Sequence, residues 1–266
     1  MKTAVIQFGA GPDKAANISK AVMLVEKAFK KGARFAVLPE VFHYRGGVEN
    51  LSALKGIKEA VTGPAITALR NLARAYNADI LAGSIYESVA GQAKAYNTSV
   101  LINGKGRIAA RYRKIHLFRA KVGGVSLSEA RSFRAGDRPA MAKVGGFNVG
   151  LSVCYDLRFP ELYRYYRQKG AHVLCVPSAF TRKTGMYHWE VLLRARAIEN
   201  MCYVLAPNQC GPDGRGVTHY GHSMIVDPWG KILARASGKG EEIIFAGLDE
   251  KIFNRYSRVL PSIRKG

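Results

Sequence analysis

The sequence predicts an α/β domain in which two mixed β-sheets pack together with helices on the outside. Three observations lead there. Eleven strand-like runs recur along the 266 residues, helical periodicities fall between several of them, and turn signals join neighbouring strands. Eleven strands are too many for one comfortable open sheet, whereas two packed sheets covered by helices bury the apolar faces of all of them.

The elements follow in order. "TAVIQF" is a first strand, and residues 14–31 place Ile18, Val22, Val25 and Phe29 at helical spacing before Gly32 ends the helix. "RFAVLPE" is a second strand. Pro64 opens a helix through "AITALRNLARAY", and "DILAGSIYE", "YNTSVLIN" and "RIAARYRK" are strands, the last two joined by the turn "NGKG" at 103–106. "FNVGLSVCY" leads into a helix that Pro160 opens and that runs through Gln168. "AHVLCVPS" is a strand, and "MYHWEVLLRARAIENM" a helix with Glu190 and Arg194 four apart. "CYVLAPNQ", "HSMIVDP", "KILARA" and "EIIFAGL" complete the strands, with "DPWG" at 227–230 as a hairpin turn. Alternation of strands and helices early and hairpins later makes the sheets mixed. No internal repeat, low-complexity tract or linker interrupts the chain, so residues 1–266 read as one domain.

Composition is that of an ordinary globule, 48% hydrophobic and 23% charged. No apolar run approaches membrane-spanning length, and "MKTAVIQFGA" enters a strand without the features of a signal peptide, so the expectation is a cytoplasmic protein without a membrane partner. Cys154, Cys175, Cys202 and Cys210 form no C-x-x-C pair and no zinc spacing; Cys175 and Cys202 sit in apolar strand patterns and read as core. A reducing compartment fits, and no metal or cofactor is expected. The charge is unusual at +22, and residues 105–138 hold ten basic positions against Glu129 and Asp137. Such a field attracts anionic substrates, nucleic acid or acidic surfaces without choosing among them.

"VGLSVCYDLRFPEL", residues 149–162, carries the chemistry. Val149, Leu151 and Val153 alternate as a strand, which puts Cys154 at a carboxyl end, just before the turn into the Pro160 helix. Ligands and nucleophiles gather at such ends in sheets with helical crossovers. Taken alone, the simpler reading is a small residue closing a core strand. Two further segments share the placement: "ARFAVLPEVF" delivers Glu40 and "RIAARYRKIHLF" delivers Lys114 at or beyond a strand end. A carboxylate, an ammonium and a thiol from three strand ends can meet in one pocket, although spacing alone does not bring them together.

"LPE", "YRKIHLF" and "CYDLRFPE", in that order, resemble the nitrilase, or carbon–nitrogen hydrolase, superfamily, and the likeness runs from "AVIQF" to "GHSMIVDPWG". The resemblance implies a four-layer α-β-β-α sandwich and a Glu-Lys-Cys catalytic set, here Glu40, Lys114 and Cys154. It also implies a second glutamate near the lysine, for which Glu129 in "SLSEARSF" is the match, and homodimers or larger assemblies paired through the nucleophile helix and the helix at 187–200. The residue types suit the chemistry. A free thiol ionises near ~8.5, so a general base is needed at neutral pH. Glu40 can take the thiol proton and later protonate the departing nitrogen. Lys114 and the Tyr155 backbone N–H can form an oxyanion hole, one donor of which is typically worth about 3 to 4 kcal/mol. The chain departs from the family pattern after "HLF", where Arg119-Ala120-Lys121 and a short loop before Gly123-Gly124 replace acidic residues and put the pocket rim in question.

"PSAFTRKTGMYHWEVLLRARAIEN" resembles the branch containing deaminated glutathione amidase and ω-amidase. The reaction implied is hydrolysis of the primary amide of a small anionic carboxylate, with ammonia released and a cysteine thioester as intermediate. Thr181, Arg182 and Thr184 are the candidate substrate contacts. N-carbamoyl amine hydrolysis and nitrile hydrolysis use the same three residues and stay open. An inactive scaffold binding nucleic acid is the alternative from another class; the intact set and the lack of a compact basic-aromatic motif argue against it. "GHSMI" lacks the last glycine of a nucleophile elbow, His219 and His222 read as structural rather than metal ligands, and "GPDGRG" reads as a mobile flap.

Overall fold

The central apolar strands are buried on both faces, and alternation sends their side chains to two different cores. The computed structural model describes residues 1–48, 51–122 and 125–260. In the first sheet Val5, Phe35, Val37, Leu81 and Leu101 point towards the second sheet, against Val149, Leu151, Val173 and Leu205. Their neighbours Ala4, Ile6, Ala36, Leu38, Ile80, Ala82, Val100 and Ile102 point the other way. There they meet Leu24, Val25 and Phe29 of helix Lys14–Lys30 and Ile66, Leu69 and Ala73 of helix Pro64–Tyr76. On the far side of the second sheet, helices Pro160–Gln168 and Arg182–Asn200 bury Tyr163, Tyr166, Trp189 and Leu193. The result is the four-layer α-β-β-α sandwich that the sequence predicts.

The sheets share one plan. In the first, Lys2–Gln7, Phe35–Val37 and Asp79–Glu87 are parallel; Ala95–Ile102 and Ile108–Arg113 follow antiparallel, and Glu242–Gly247 closes the other edge. In the second, Phe147–Leu151, Val173–Cys175 and Tyr203–Ala206 are parallel, Met224–Val226 and Ile232–Arg235 follow antiparallel, and Met141–Val144 closes the edge. The chain thus repeats a β-α-β-α-β unit with a trailing hairpin, although its sequence shows no repeat.

All eleven predicted strand runs contain strands. The sequence reading misses Met141–Val144, Phe133–Arg134, the hairpin Arg119–Val122/Val125–Ser128, the hairpin Cys210–Pro212/Thr218–Tyr220, and helices Leu51–Lys55 and Glu250–Val259. Most of these are short, too short for a period to register. Helix Arg182–Asn200 also begins earlier than the expected Met186, because Thr181 caps it by accepting from the Thr184 N–H. Cys175 and Cys202 are fully buried, as their apolar surroundings predict. Gly123 and Gly124, expected to shape the rim, lie outside the described residues; Arg119 beside them is exposed.

Gly83 positions Glu40 through the backbone. The strand Asp79–Glu87 shifts register against Ala95–Ile102 between Ala82 and Ile85, and Gly83 lies in that irregularity. A Cβ there would stand 2.0 Å from the Leu38 carbonyl oxygen and 2.2 Å from that of Pro39. The next residue, Ser84, accepts the Val41 N–H through Oγ at 2.8 Å, holding Val41 at φ 49° just after Glu40. Gly83→Ala is expected to cost about 1–3 kcal/mol by overpacking and to lower activity in the folded fraction. Urea unfolding paired with active-site titration measures both effects. Wild-type behaviour in both assays would show that the Glu40 loop tolerates the displacement.

Candidate active site

Four chain segments converge at one end of the sandwich, between the two sheets. Glu40 follows strand Phe35–Val37, Lys114 follows Ile108–Arg113, Cys154 lies three residues past Phe147–Leu151, and Ala179 to Thr181 follow Val173–Cys175. They line a cavity of about 420 Å³. The Cys154 thiol lines the same cavity wall as the Glu40 carboxylate and feels its charge. Lys114 Nζ lies 3.0 Å from Glu40 Oε1 and 3.0 Å from Glu129 Oε2. The expected set of Glu40, Lys114, Cys154 and Glu129 is therefore one connected cluster.

Each member is fixed by backbone and side-chain contacts. Glu40 is buried, and its Oε1 also accepts from Asn97 Nδ2 at 2.8 Å while its carbonyl accepts from Gln209 Nε2 at 2.8 Å. Asn97 in turn takes the Lys114 N–H on its own carbonyl. Glu129 is clamped to the turn after Lys114, with Oε2 accepting the Phe118 N–H at 2.8 Å. Cys154 has φ 48°, in the left-handed region where a non-glycine residue is uncommon, and its N–H donates to the Pro177 carbonyl at 2.9 Å. Tyr155 is the second residue of the 3₁₀ segment Cys154–Arg158, whose first N–H groups have no carbonyl partner within the helix.

Asp156 holds this turn to the lysine strand. Fully buried, it accepts from Tyr112 OH at 2.8 Å, the His116 N–H at 3.0 Å and the Val153 N–H at 2.8 Å, and its Oδ1 lies 2.7 Å from His116 Nδ1. His116 stacks on Phe159, with ring centroids 3.6 Å apart. Arg196 secures the other side by donating twice to the Leu157 carbonyl.

Burial and charge set the protonation states. Burial disfavours the Glu40 charge, but the Lys114 ammonium and the Arg45 guanidinium outweigh it and hold the carboxyl below its ordinary range. Burial likewise works against Lys114, yet Glu129 and Glu40 push its pKa well above that of a free lysine. Cys154 goes the other way: burial first and the Glu40 charge second raise the thiol, against Lys114 and the Ala179 N–H. A neighbouring ammonium by itself favours thiolate; here the carboxylate and the dry surroundings win. The resting cluster is carboxylate, ammonium and neutral thiol.

Of the expected substrate contacts, Thr181 and Thr184 line the cavity. Arg182 does not, because Thr181 caps the helix and Arg182, in its first turn, is left exposed. The cavity instead presents Arg45, Arg131, Arg158 and Arg215. Arg158 lies over the Phe180 ring at 5.3 Å and the Tyr155 ring at 5.8 Å. The expected mobile flap is a tied hairpin: Asp213 accepts the Arg215 and Val217 N–H groups and the Arg215 guanidinium. His219 lines the cavity and contacts Ala179 O, Arg45 and Asp213. Among the described residues, no group of three or more His, Cys, Asp or Glu side chains is placed to hold a metal ion.

Comparison with known proteins bears on what such a cluster does. Residues 2–254 match the carbon-nitrogen hydrolase family. The chain belongs to that family. This carbon–nitrogen hydrolase is an enzyme of the amidase class. It is 41% identical over 266 residues to a deaminated glutathione amidase of Synechocystis sp., covering 98% of this chain and 96% of the relative. It is 36% identical to omega-amidase NIT3 of Saccharomyces cerevisiae, covering 98% and 91%. The crystal structure of that yeast Nit3, described as a nitrilase-superfamily member, superposes with a TM-score of 0.88 at 33% identity, covering 100% of this chain and 96% of the other. An amidase of Nesterenkonia sp. AN1, at 25% identity and a TM-score of 0.79 over 97% of this chain and 94% of that one, carries a covalent acetamide adduct on its active-site cysteine.

The hydrolase's pH dependence follows from the charge cluster. Glu40 is lowered from a carboxylate's ordinary value and Lys114 raised above a lysine's, so both keep their charge across neutrality. kcat/KM is expected to stay flat from about pH 5 to about pH 9, falling on the acid side only as Glu40 protonates. A limb near ~8.5, where an ordinary thiol ionises, would mean that a preformed thiolate attacks instead.

Proposed function

We propose that Cys154 is the nucleophile, Glu40 the general acid–base and Lys114 with the Tyr155 N–H the oxyanion hole for hydrolysis of the amide of a small carboxylate. The observation that carries the reading is the convergence of the Cys154 thiol, the Lys114 ammonium and a buried Glu40 carboxylate, kept charged by that ammonium 3.0 Å away, in one cavity. Glu40 takes the thiol proton as sulfur attacks the amide carbon. The carbonyl electrons move to oxygen, which becomes the tetrahedral oxyanion facing Lys114 Nζ and the Tyr155 N–H. Glu40 then gives its proton to the departing nitrogen, the C–N bond breaks, and a thioester remains. Water, deprotonated by the same carboxylate, attacks the thioester, and the proton returns to sulfur as the acid leaves. Glu129 keeps Lys114 in place and charged.

The named relatives support an amide on the far end of a carboxylate chain. The leaving group is ammonia for a primary ω-amide and an amine for a substituted amide such as deaminated glutathione. The cavity's arginines suit an anionic substrate, with Arg158 on the nucleophile's wall and Thr181 and Thr184 beside it. We read residues 1–266 as a single domain that acts in the cytoplasm; the family match over 2–254 supports the first, and the absence of a described helix able to cross a membrane fits the second. A homodimer or larger assembly is supported by Tyr187, Val191 and Ile198, exposed apolar residues along one stripe of helix Arg182–Asn200.

Cys154→Ala is expected to cut turnover of an ω-amide by about 10⁴-fold or more while barely moving the melting temperature, and Glu40→Gln by about 10²- to 10⁴-fold. Substantial turnover by the alanine variant, followed by product release, would refute the assignment. For the assembly, sedimentation at micromolar concentration is expected to show a dimer or larger species that Val191→Arg weakens; a monomeric wild type would remove the interface.

A further inference from the structure

We propose that His116 is a positioning residue that sets where the Lys114 ammonium stands relative to the Cys154 thiol, acting through the Asp156 carboxylate from outside the cavity. The inference rests on the functional reading above and adds to it the group that keeps its two halves in register.

Each of the two reacting groups stands two residues before one end of a single contact. His116 follows Lys114 by two residues, in the turn after strand Ile108–Arg113, and Asp156 follows Cys154 by two. The His116 ring reaches Asp156 Oδ1 from Nδ1 at 2.7 Å, and the His116 backbone N–H donates to the same oxygen at 3.0 Å. A carboxylate oxygen offers a ring nitrogen only lone pairs, so Nδ1 is the donor. Oδ2 accepts the Val153 N–H at 2.8 Å, one residue before Cys154, and Tyr112 OH at 2.8 Å, two residues before Lys114. Lys114 is therefore bracketed by Tyr112 and His116, and Cys154 by Val153 and Asp156, on the two oxygens of one carboxylate.

Two of those donors are backbone N–H groups that any sequence supplies. The side-chain donors, Tyr112 and His116, differ in what else they hold. Tyr112 is fully buried in the core between the sheets, where its hydroxyl also accepts the Ile115 N–H at 3.3 Å, so it anchors the strand. The His116 ring stacks on Phe159 instead, with centroids 3.6 Å and planes 7° apart. Phe159 ends the 3₁₀ segment Cys154–Arg158 and precedes helix Pro160–Gln168, so the ring grips the Cys154 turn at Asp156 and again at its far end. His116 is not among the residues lining the cavity, and its effect on turnover must be transmitted. The turn has something to lose, because Cys154 at φ 48° holds a conformation that persists only where its surroundings impose it. Lys114 Nζ meets an oxyanion formed at Cys154 only while the two turns keep their spacing. A misplacement of about 1 Å, even from a change away from the chemistry, can cost about 100-fold in rate.

The test compares His116→Phe, which keeps a flat ring and removes the donor, with His116→Asn, whose amide nitrogen stands at the Nδ1 position. With the primary 5-amide of 2-oxoglutarate as substrate, His116→Phe is expected to lower kcat by about 10- to 100-fold while KM stays within about twofold. His116→Asn is expected to recover most of that loss. His116→Gln, which carries the amide one methylene further out, is expected to match His116→Phe and decides the matter should that variant not fold. A purely structural role would lower the melting temperature and leave the kcat of the folded protein alone. That outcome, or an asparagine variant no better than the phenylalanine one, would overturn the assignment. Alkylation of Cys154 by chloroacetamide, followed by peptide mass, gives an arm independent of turnover. It is expected to slow in His116→Phe and to recover in His116→Asn. The same pattern in a protein that releases no ammonia from any amide would uphold the positioning role and sink the functional reading. Equal alkylation rates in wild type and variants would sink the positioning role.

Discussion

A lysine ammonium buried between two carboxylates is the constraint on which the rest of this structure depends. An unpaired charge in such surroundings is costly enough that the group would neutralise instead. Lys114 stays charged only because Glu40 and Glu129 both lie at 3.0 Å. Those carboxylates must then be held still. Asn97 and Gln209 fix one and the Phe118 N–H fixes the other. The need to satisfy one cation extends through two strands of the first sheet and a loop of the second, tying the halves of the sandwich together.

The two halves contribute unequally to one centre. The first supplies the carboxylate and the ammonium from its strand ends, and the second supplies the thiol and the Ala179 N–H that faces it. Asp156 joins them, since its carboxylate takes donors from Tyr112 and His116 on the lysine side and from Val153 beside Cys154. The duplicated β-α-β-α-β plan therefore does more than build two sheets. It brings the carboxyl ends of parallel strands from both sheets to the same edge, where strand-end residues can face one another.

Much of this was legible in the sequence because it is local. Strands of four to nine residues with clear alternation announce themselves, as do Pro160 at a helix start and Cys154 after a strand. Glu40, Lys114 and Cys154 were found by their shared strand-end placement together with three family-like segments. What escaped depends on distance along the chain. Arg45 meets His219 across 174 positions, and Asn97 meets Glu40 across 57. Neither residue carries a pattern that names its partner. Arg182 misled for a related reason: a basic residue beside two threonines resembles a binding motif, but the capping role of Thr181 accompanies an outward Arg182. The hairpin at Asp213 looked loose because glycines suggest mobility, whereas one aspartate with many donors decides otherwise.

The neutral resting thiol has a consequence for the life of the protein under oxidative stress. Peroxides attack thiolates, and the first steps of cysteine oxidation follow thiolate character and exposure. A sulfur whose proton is retained by burial and by a neighbouring carboxylate, and which is only partly exposed, offers such oxidants little to react with. On the proposed mechanism its proton leaves only when a carbonyl carbon is in place for sulfur to attack. On that reading, the same arrangement that makes a base necessary keeps the Cys154 sulfur chemically quiet between turnovers.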